Sequence, residues 1–102
     1  MSQWIKACDL DQVKEGQLFG FQTNEKKILL ANQKGNIFAT DLICTHADAD
    51  LSTGFLSEEG VRCPLHLSVF NLKDGKPQNL PAETPLKTYN TKIEQNKIYV
   101  EI

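Results

Sequence analysis

No stretch of this 102-residue chain approaches the roughly twenty consecutive apolar residues that a bilayer-spanning helix requires. Its first residues, Met1-Ser2-Gln3-Trp4-Ile5-Lys6, lack the order of charge, apolar core and small residues that marks a secretory leader. The expectation is a cytoplasmic protein with no membrane contact. Concentrated positive charge is missing too: Arg62 is the sole arginine, the lysines are scattered, and the net charge is −2. Phosphate backbones are held by clustered cations, so nucleic acid is not an expected partner. Cysteine occurs three times and histidine twice. An odd trio of cysteines does not read as a disulfide framework.

What is present is ordinary in bulk. Hydrophobic residues make up 40% and charged residues 24%, a globular balance too apolar for disorder. The length predicts one domain, residues 1–102, burying about two-thirds of its unfolded surface. A core that thin gains from any metal centre that ties loops together.

The pattern is of short strands and turns, without a convincing helix. Trp4–Ala7, Leu18–Gln22, Lys27–Ala31 and Ile37–Asp41 read as strands, with Lys34-Gly35-Asn36 a hairpin signal between the last two. Residues 9–16 carry at most a single helical turn. Val61–Cys63 and Val69–Leu72 follow, the latter running into the turn Lys73-Asp74-Gly75-Lys76. Pro77, Pro81 and Pro85 then disfavour a central strand. Lys87–Glu94 and Ile98–Glu101, joined by Gln95-Asn96-Lys97, close the chain. Residues 47–59 read as a long polar loop. The sum predicts an all-β fold, a sandwich or barrel.

The distinctive chemistry is gathered in two places. Both histidines and two of the cysteines lie in Cys44-Thr45-His46 and, after sixteen intervening residues, Cys63-Pro64-Leu65-His66. Each segment offers one soft thiolate and one neutral imidazole, a set suited to two unlike metal atoms or to one with mixed ligands. Read as buried thiols and unrelated histidines, the grouping would be coincidence. Read as a tetrahedral zinc site, it has the right donors, but one residue separates Cys44 from His46 and no helix follows. The remaining reading is an iron–sulfur centre. Cys8, outside both segments, reads as a small residue packed near the first strand.

Cys-x-His, then Cys-Pro-x-His, with an aromatic four residues after the second histidine, resembles the Rieske [2Fe–2S] family. The strand pattern and the later proline-rich stretch extend that resemblance over essentially the whole chain. It implies an antiparallel β-sandwich with two cluster-binding loops, the cluster-binding part spanning about residues 42–82. It also implies one [2Fe–2S] cluster, with Cys44 and Cys63 on one iron and His46 and His66 on the other. Two ferric ions, two sulfides and two thiolates sum to zero charge. An all-cysteine cluster carries two further negative charges and resists reduction, so mixed ligation lifts the potential from about −400 mV to about −150 to +300 mV.

Neighbouring residues refine that range. Quinol-oxidising members of the family have an extra cysteine in each loop, where this chain has Ala49 and Leu65, and a tyrosine where it has Phe70. Ser68 matches a serine that donates to a bridging sulfide in high-potential members. The balance predicts a low potential, slightly above the lowest members. Pro64 sets the backbone before Leu65 and His66, while Leu65, Leu67 and Pro81 are expected to shield the cluster. Gly54 and Gly60 are expected in turns.

The resemblance extends to the ferredoxin components of bacterial aromatic-ring dioxygenase systems. It implies a non-catalytic carrier of single electrons from a flavin-dependent reductase to a terminal Rieske non-haem iron oxygenase. Apart from Cys8, no histidine or cysteine remains for a second metal site with substrate chemistry. Asp41, Asp48, Asp50, Glu58 and Glu59 are candidates for steering a partner, or for a merely solvated loop. Three other roles stay open: the small Rieske-like subunit of a nitrite-reductase type complex, an iron–sulfur sensor, and a structural zinc domain.

Overall fold

Ile28-Leu29-Leu30-Ala31 puts four apolar residues in a row where a half-buried strand would alternate. Such a run suits a strand covered on both faces, and the computed structural model places it so. The structure describes residues 3–23, 26–45, 49–65, 68–78 and 84–102. In chain order the strands are β1 (Trp4–Asp9), β2 (Leu18–Gln22), β3 (Lys27–Gln33), β4 (Asn36–Asp41) and β5 (Phe55–Ser57). They continue as β6 (Gly60–Arg62), β7 (Val69–Phe70), β8 (Thr88–Tyr89), β9 (Thr91–Glu94) and β10 (Lys97–Glu101). Short 3₁₀ turns cover Leu10–Gln12 and Leu51–Thr53, and the described residues contain no α-helix.

All pairing is antiparallel, in three sheets ordered β1-β10-β9, β2-β3-β4-β8 and β5-β6-β7. The middle sheet separates two cores. On one face Ile28 and Leu30 of β3, with Ile37 and Ala39 of β4, meet Cys8, Val13, Ile98 and Val100. On the other, Leu29 and Ala31 join Leu42, Cys44, Ala49, Leu51, Val61, Cys63, Phe70, Leu72 and Leu86. Because successive side chains of a strand point to opposite faces, one strand serves both cores. The all-β, antiparallel expectation holds, with the third sheet laid over the second as an extra layer.

Two-residue turns set the register. Lys34 and Gly35 both have positive φ between β3 and β4, as do Gln95 and Asn96 between β9 and β10. That backbone matches the right-handed twist of the strands it joins. Under the first turn, buried Asn32 donates through Nδ2 to the Val13 carbonyl and accepts at Oδ1 from the Gly35 N–H.

Three expectations need correction. Residues 47–59 are not one loop: they contain the Leu51–Thr53 turn and strand β5, which pairs with β6 from Phe55↔Arg62 to Ser57↔Gly60. Lys87–Glu94 is not one strand. It breaks at Asn90, so that β8 pairs with β4 and β9 with β10, and one segment stitches two sheets. Strand β7 ends at Phe70, and the turn after it returns only to an isolated Phe70↔Pro77 bridge, because Pro77 has no N–H for a longer ladder.

Candidate metal centre

The two cysteine-bearing segments form the tips of two hairpins of matching size. In the first, Ile43 bridges Asp50 and the Cys44 N–H donates to the Ala49 carbonyl at 3.0 Å. In the second, Arg62 pairs with Val69 and the Cys63 N–H donates to the Ser68 carbonyl at 2.7 Å. Each tip therefore begins with a cysteine and is closed by the carbonyl five residues later. In sequence, His46 falls inside the first tip and His66 inside the second. Both histidines, Leu67 and Pro81 lie outside the described residues.

The thiols converge in one core. Cys44 is 4% exposed and Cys63 fully buried, both in the core built on Leu29 and Ala31, and none of the three cysteines forms a disulfide. Cys8 lies in the other core, beside Ile98 and Val100. Its own burial, and then Asp9, push its thiol above the ordinary range. That environment suits an inert packing residue. Two thiols at matched hairpin entries suit soft-metal ligation instead. A cation would neutralise the thiolates that an apolar core otherwise penalises, so the donor set fits a thiolate-bound iron.

The surroundings are dry. Phe70, Val61 and Leu51 are fully buried around the cysteines, and Ala49 is nearly so. Ser68 is fully buried, and no buried side-chain nitrogen or oxygen among the described residues lacks a partner. Pro64 is half-buried, whereas Leu65 is 64% exposed. Leu65 therefore offers apolar surface to solvent beside the second tip.

Two glycines allow close backbone approach around the second hairpin. At Gly60 φ is +139°, and a Cβ there would run into the Phe70 carbonyl, so β6 approaches β7 only without a side chain. Gly54 has ordinary φ, but a Cβ there would strike the carbonyl of Arg62, the residue before Cys63. Its role is close approach between hairpins more than turning.

Sequence reasoning missed a further tie. Thr45, between Cys44 and His46, donates through Oγ1 to the Thr84 carbonyl at 2.6 Å and pins the first tip to a distant segment. A hydroxyl between two candidate ligands was its only sequence signal. Of the acidic residues weighed for steering, Asp41, Asp50 and Glu58 are engaged within the chain, whereas the exposed Glu59 forms no ion pair among the described residues. Asp41 accepts from the Tyr89 hydroxyl at 2.6 Å, Asp50 caps the Leu51–Thr53 turn by accepting from the Ser52 N–H, and Glu58 pairs with Lys34 at 3.1 Å. Asp48 lies outside the described residues.

Known proteins resemble the chain along nearly its whole length. The naphthalene 1,2-dioxygenase/salicylate 5-hydroxylase ferredoxin component of Ralstonia sp. is 39% identical over 97% of this chain and 95% of its own. Among solved structures, the Sphingomonas yanoikuyae B1 ferredoxin superposes with a TM-score of 0.91 at 28% identity, covering 98% of this chain and 99% of its own. A chain of the complex of reduced oxygenase and oxidised ferredoxin in carbazole 1,9a-dioxygenase gives 0.88 at 26% identity, with coverages of 95% and 91%. A nitrite reductase small subunit from Mycobacterium tuberculosis gives 0.87, but at 20% identity it shows only the shared fold. The model of the Rieske [2Fe–2S] domain matches residues 3–90; the chain belongs to that family and carries one [2Fe–2S] cluster.

Proposed function

We propose that this chain is the ferredoxin of a multicomponent aromatic-ring dioxygenase system. It takes single electrons from a flavin-dependent reductase and delivers them to a terminal Rieske non-haem iron oxygenase in the cytoplasm. The observation that carries the reading is the end-to-end likeness to a ferredoxin component, 39% identical, combined with two buried thiols at matched hairpin tips. The carbazole dioxygenase complex supports an oxygenase as electron acceptor. Residues 1–102 act as one domain, with the cluster-binding part at about 42–82.

In this reading Cys44 and Cys63 hold one iron and His46 and His66 the other. When bound, the cluster supplies reversible one-electron chemistry at a potential set by its ligands and hydrogen bonds. The chain's part is positioning and insulation. The apolar core around both cysteines keeps water from the thiolates. Ser68, fully buried, would be the donor to a sulfide, and Phe70, without a hydroxyl, would withhold the hydrogen bond that a tyrosine adds. Ala49 and Leu65 leave no disulfide between the tips. Each of the last two features favours a low potential.

Reconstituted turnover tests the proposal. The chain should be reduced by a flavin-dependent reductase and reoxidised by a substrate-loaded ring-hydroxylating oxygenase, with product formation dependent on added chain. A chain that instead purifies as a fixed subunit of a larger reductase, and cannot exchange between partners, contradicts the shuttle.

A further inference from the structure

The chain is acidic overall, yet three lysines without an ion-pair partner among the described residues meet at one cleft. A surface cleft of about 400 Å³ is lined by Lys26, Lys27, Lys87, Asp41, Tyr89 and Ile43. Lys26 and Lys27 open β3, while Lys87 comes from the segment before β8, some sixty residues away in sequence. Elsewhere among the described residues, Lys6 pairs with Asp9, Lys34 with Glu58 and Lys92 with Glu94, while the other lysines without a carboxylate partner, Lys14, Lys73, Lys76 and Lys97, line no part of this cleft. The cleft lysines have no carboxylate of a described residue within ion-pair distance. Asp41, the carboxylate lining the cleft, is engaged by the Tyr89 hydroxyl.

The cleft is built rather than accidental. Lys26 and Lys87 each lie 5.4 Å from the centroid of the Tyr89 ring, which favours cations over its face. The Lys87 carbonyl accepts from the Asp41 N–H, and the Lys27 carbonyl from the Leu42 N–H. Two successive residues thus tie the lysine backbones to the base of the first ligand hairpin, with Ile43 lining the cleft and Cys44 next in sequence.

From this geometry we propose that the Lys26, Lys27 and Lys87 cleft is a docking surface for an acidic patch on a protein electron-transfer partner. The inference rests on the electron-carrier reading and adds a surface and a charge sign to it. A protein occupant is favoured over a small anion because Lys27 and Lys87 are solvent-exposed and span an open cleft. Such an array suits long-range attraction between surfaces, which concentrates encounters and raises association rates.

The test compares wild type with K27E/K87E and K27Q/K87Q, each loaded with cluster and checked by its visible spectrum. Electron transfer with the reductase and with the oxygenase is followed separately by stopped-flow. At low ionic strength, charge reversal should slow the second-order rate with at least one partner by on the order of tenfold, and the glutamine pair by less. Wild type and variants should converge as salt rises. Unchanged rates with both partners overturn the proposal, as does a deficit that persists at high salt. Saturable binding of inorganic phosphate, lost in K27Q/K87Q, would overturn it in favour of a small-anion site. Loss of the visible spectrum in wild type would instead strike the electron-carrier reading itself.

Discussion

The two cysteine-bearing hairpins match in size but have different supports. The second continues a sheet: Arg62 and Val69 at its neck belong to β6 and β7, and β5 flanks them. The first has only an isolated Ile43↔Asp50 bridge at its neck. Beyond that bridge it is held by the local Asp50 cap, by the Thr45 bond to Thr84, and at its base by the Asp41 and Leu42 N–H bonds to the Lys87 and Lys27 carbonyls and the tie from Asp41 to Tyr89. A sheet-borne tip inherits stability from neighbouring strands, whereas a tip held by single hydrogen bonds can be loosened one bond at a time. The first hairpin is the weaker half of the centre by this account.

The largest effect comes from the feature the hairpins share. Cys44→Ser and Cys63→Ser should each abolish the cluster, read as complete loss of visible absorbance and of bound iron. Loss in only one variant would mean that the hairpins are not equivalent ligand donors. Next, Gly60→Ala attacks the support of the second hairpin, through its left-handed φ and the Phe70 carbonyl in its way. It should cost about 2–4 kcal/mol in a denaturant titration. Thr45→Val and Asp50→Ala attack the first, and each should cost only about 1 kcal/mol. Both should nevertheless speed cluster release to a chelator, in keeping with a hairpin held by single bonds.

A smaller effect separates the alkaline response of the first hairpin from that of the second. Burial, and then the hydrogen bond to Asp41, raise Tyr89 above its ordinary pKa near 10. The folded state therefore holds this proton more tightly than the unfolded chain. Its contribution to stability is intact below about pH 10 and is lost as pH rises toward the raised folded value. Tyr89→Phe should cost about 1 kcal/mol at neutral pH and flatten the fall in melting temperature above pH 10. The smallest change is the most local: Ser68→Ala should lower the reduction potential in voltammetry with little loss of stability, if its hydroxyl donates to the cluster.

How much of this was legible beforehand follows from the kind of signal involved. The ligand segments were plain because residue type and spacing lie close together in sequence. Strands β3, β4 and β10 were plain because apolar, β-branched content persists over several residues. Phe55-Leu56-Ser57 was missed because three residues between turns carry almost no periodicity, and their pairing partner decides their state. The break at Asn90 was missed for a related reason: Lys87–Glu94 is uniformly strand-like, and only the positions of β4 and β10 divide it. The ties from Thr45 to Thr84 and from Tyr89 to Asp41 cross 39 and 48 residues, and local pattern does not encode such contacts. The lysine cleft was hidden in the same way, since scattered charges become a patch only when β3, β4 and β8 meet.

The central claim, one cluster held by Cys44, His46, Cys63 and His66, is tested most directly by electron paramagnetic resonance of the reduced protein labelled with ¹⁵N-histidine. The account predicts a [2Fe–2S] signal with hyperfine coupling to two histidine nitrogens, one lost in each of His46→Cys and His66→Cys that still assembles a cluster. A cluster signal without histidine coupling, or a colourless chain holding one zinc, would contradict it.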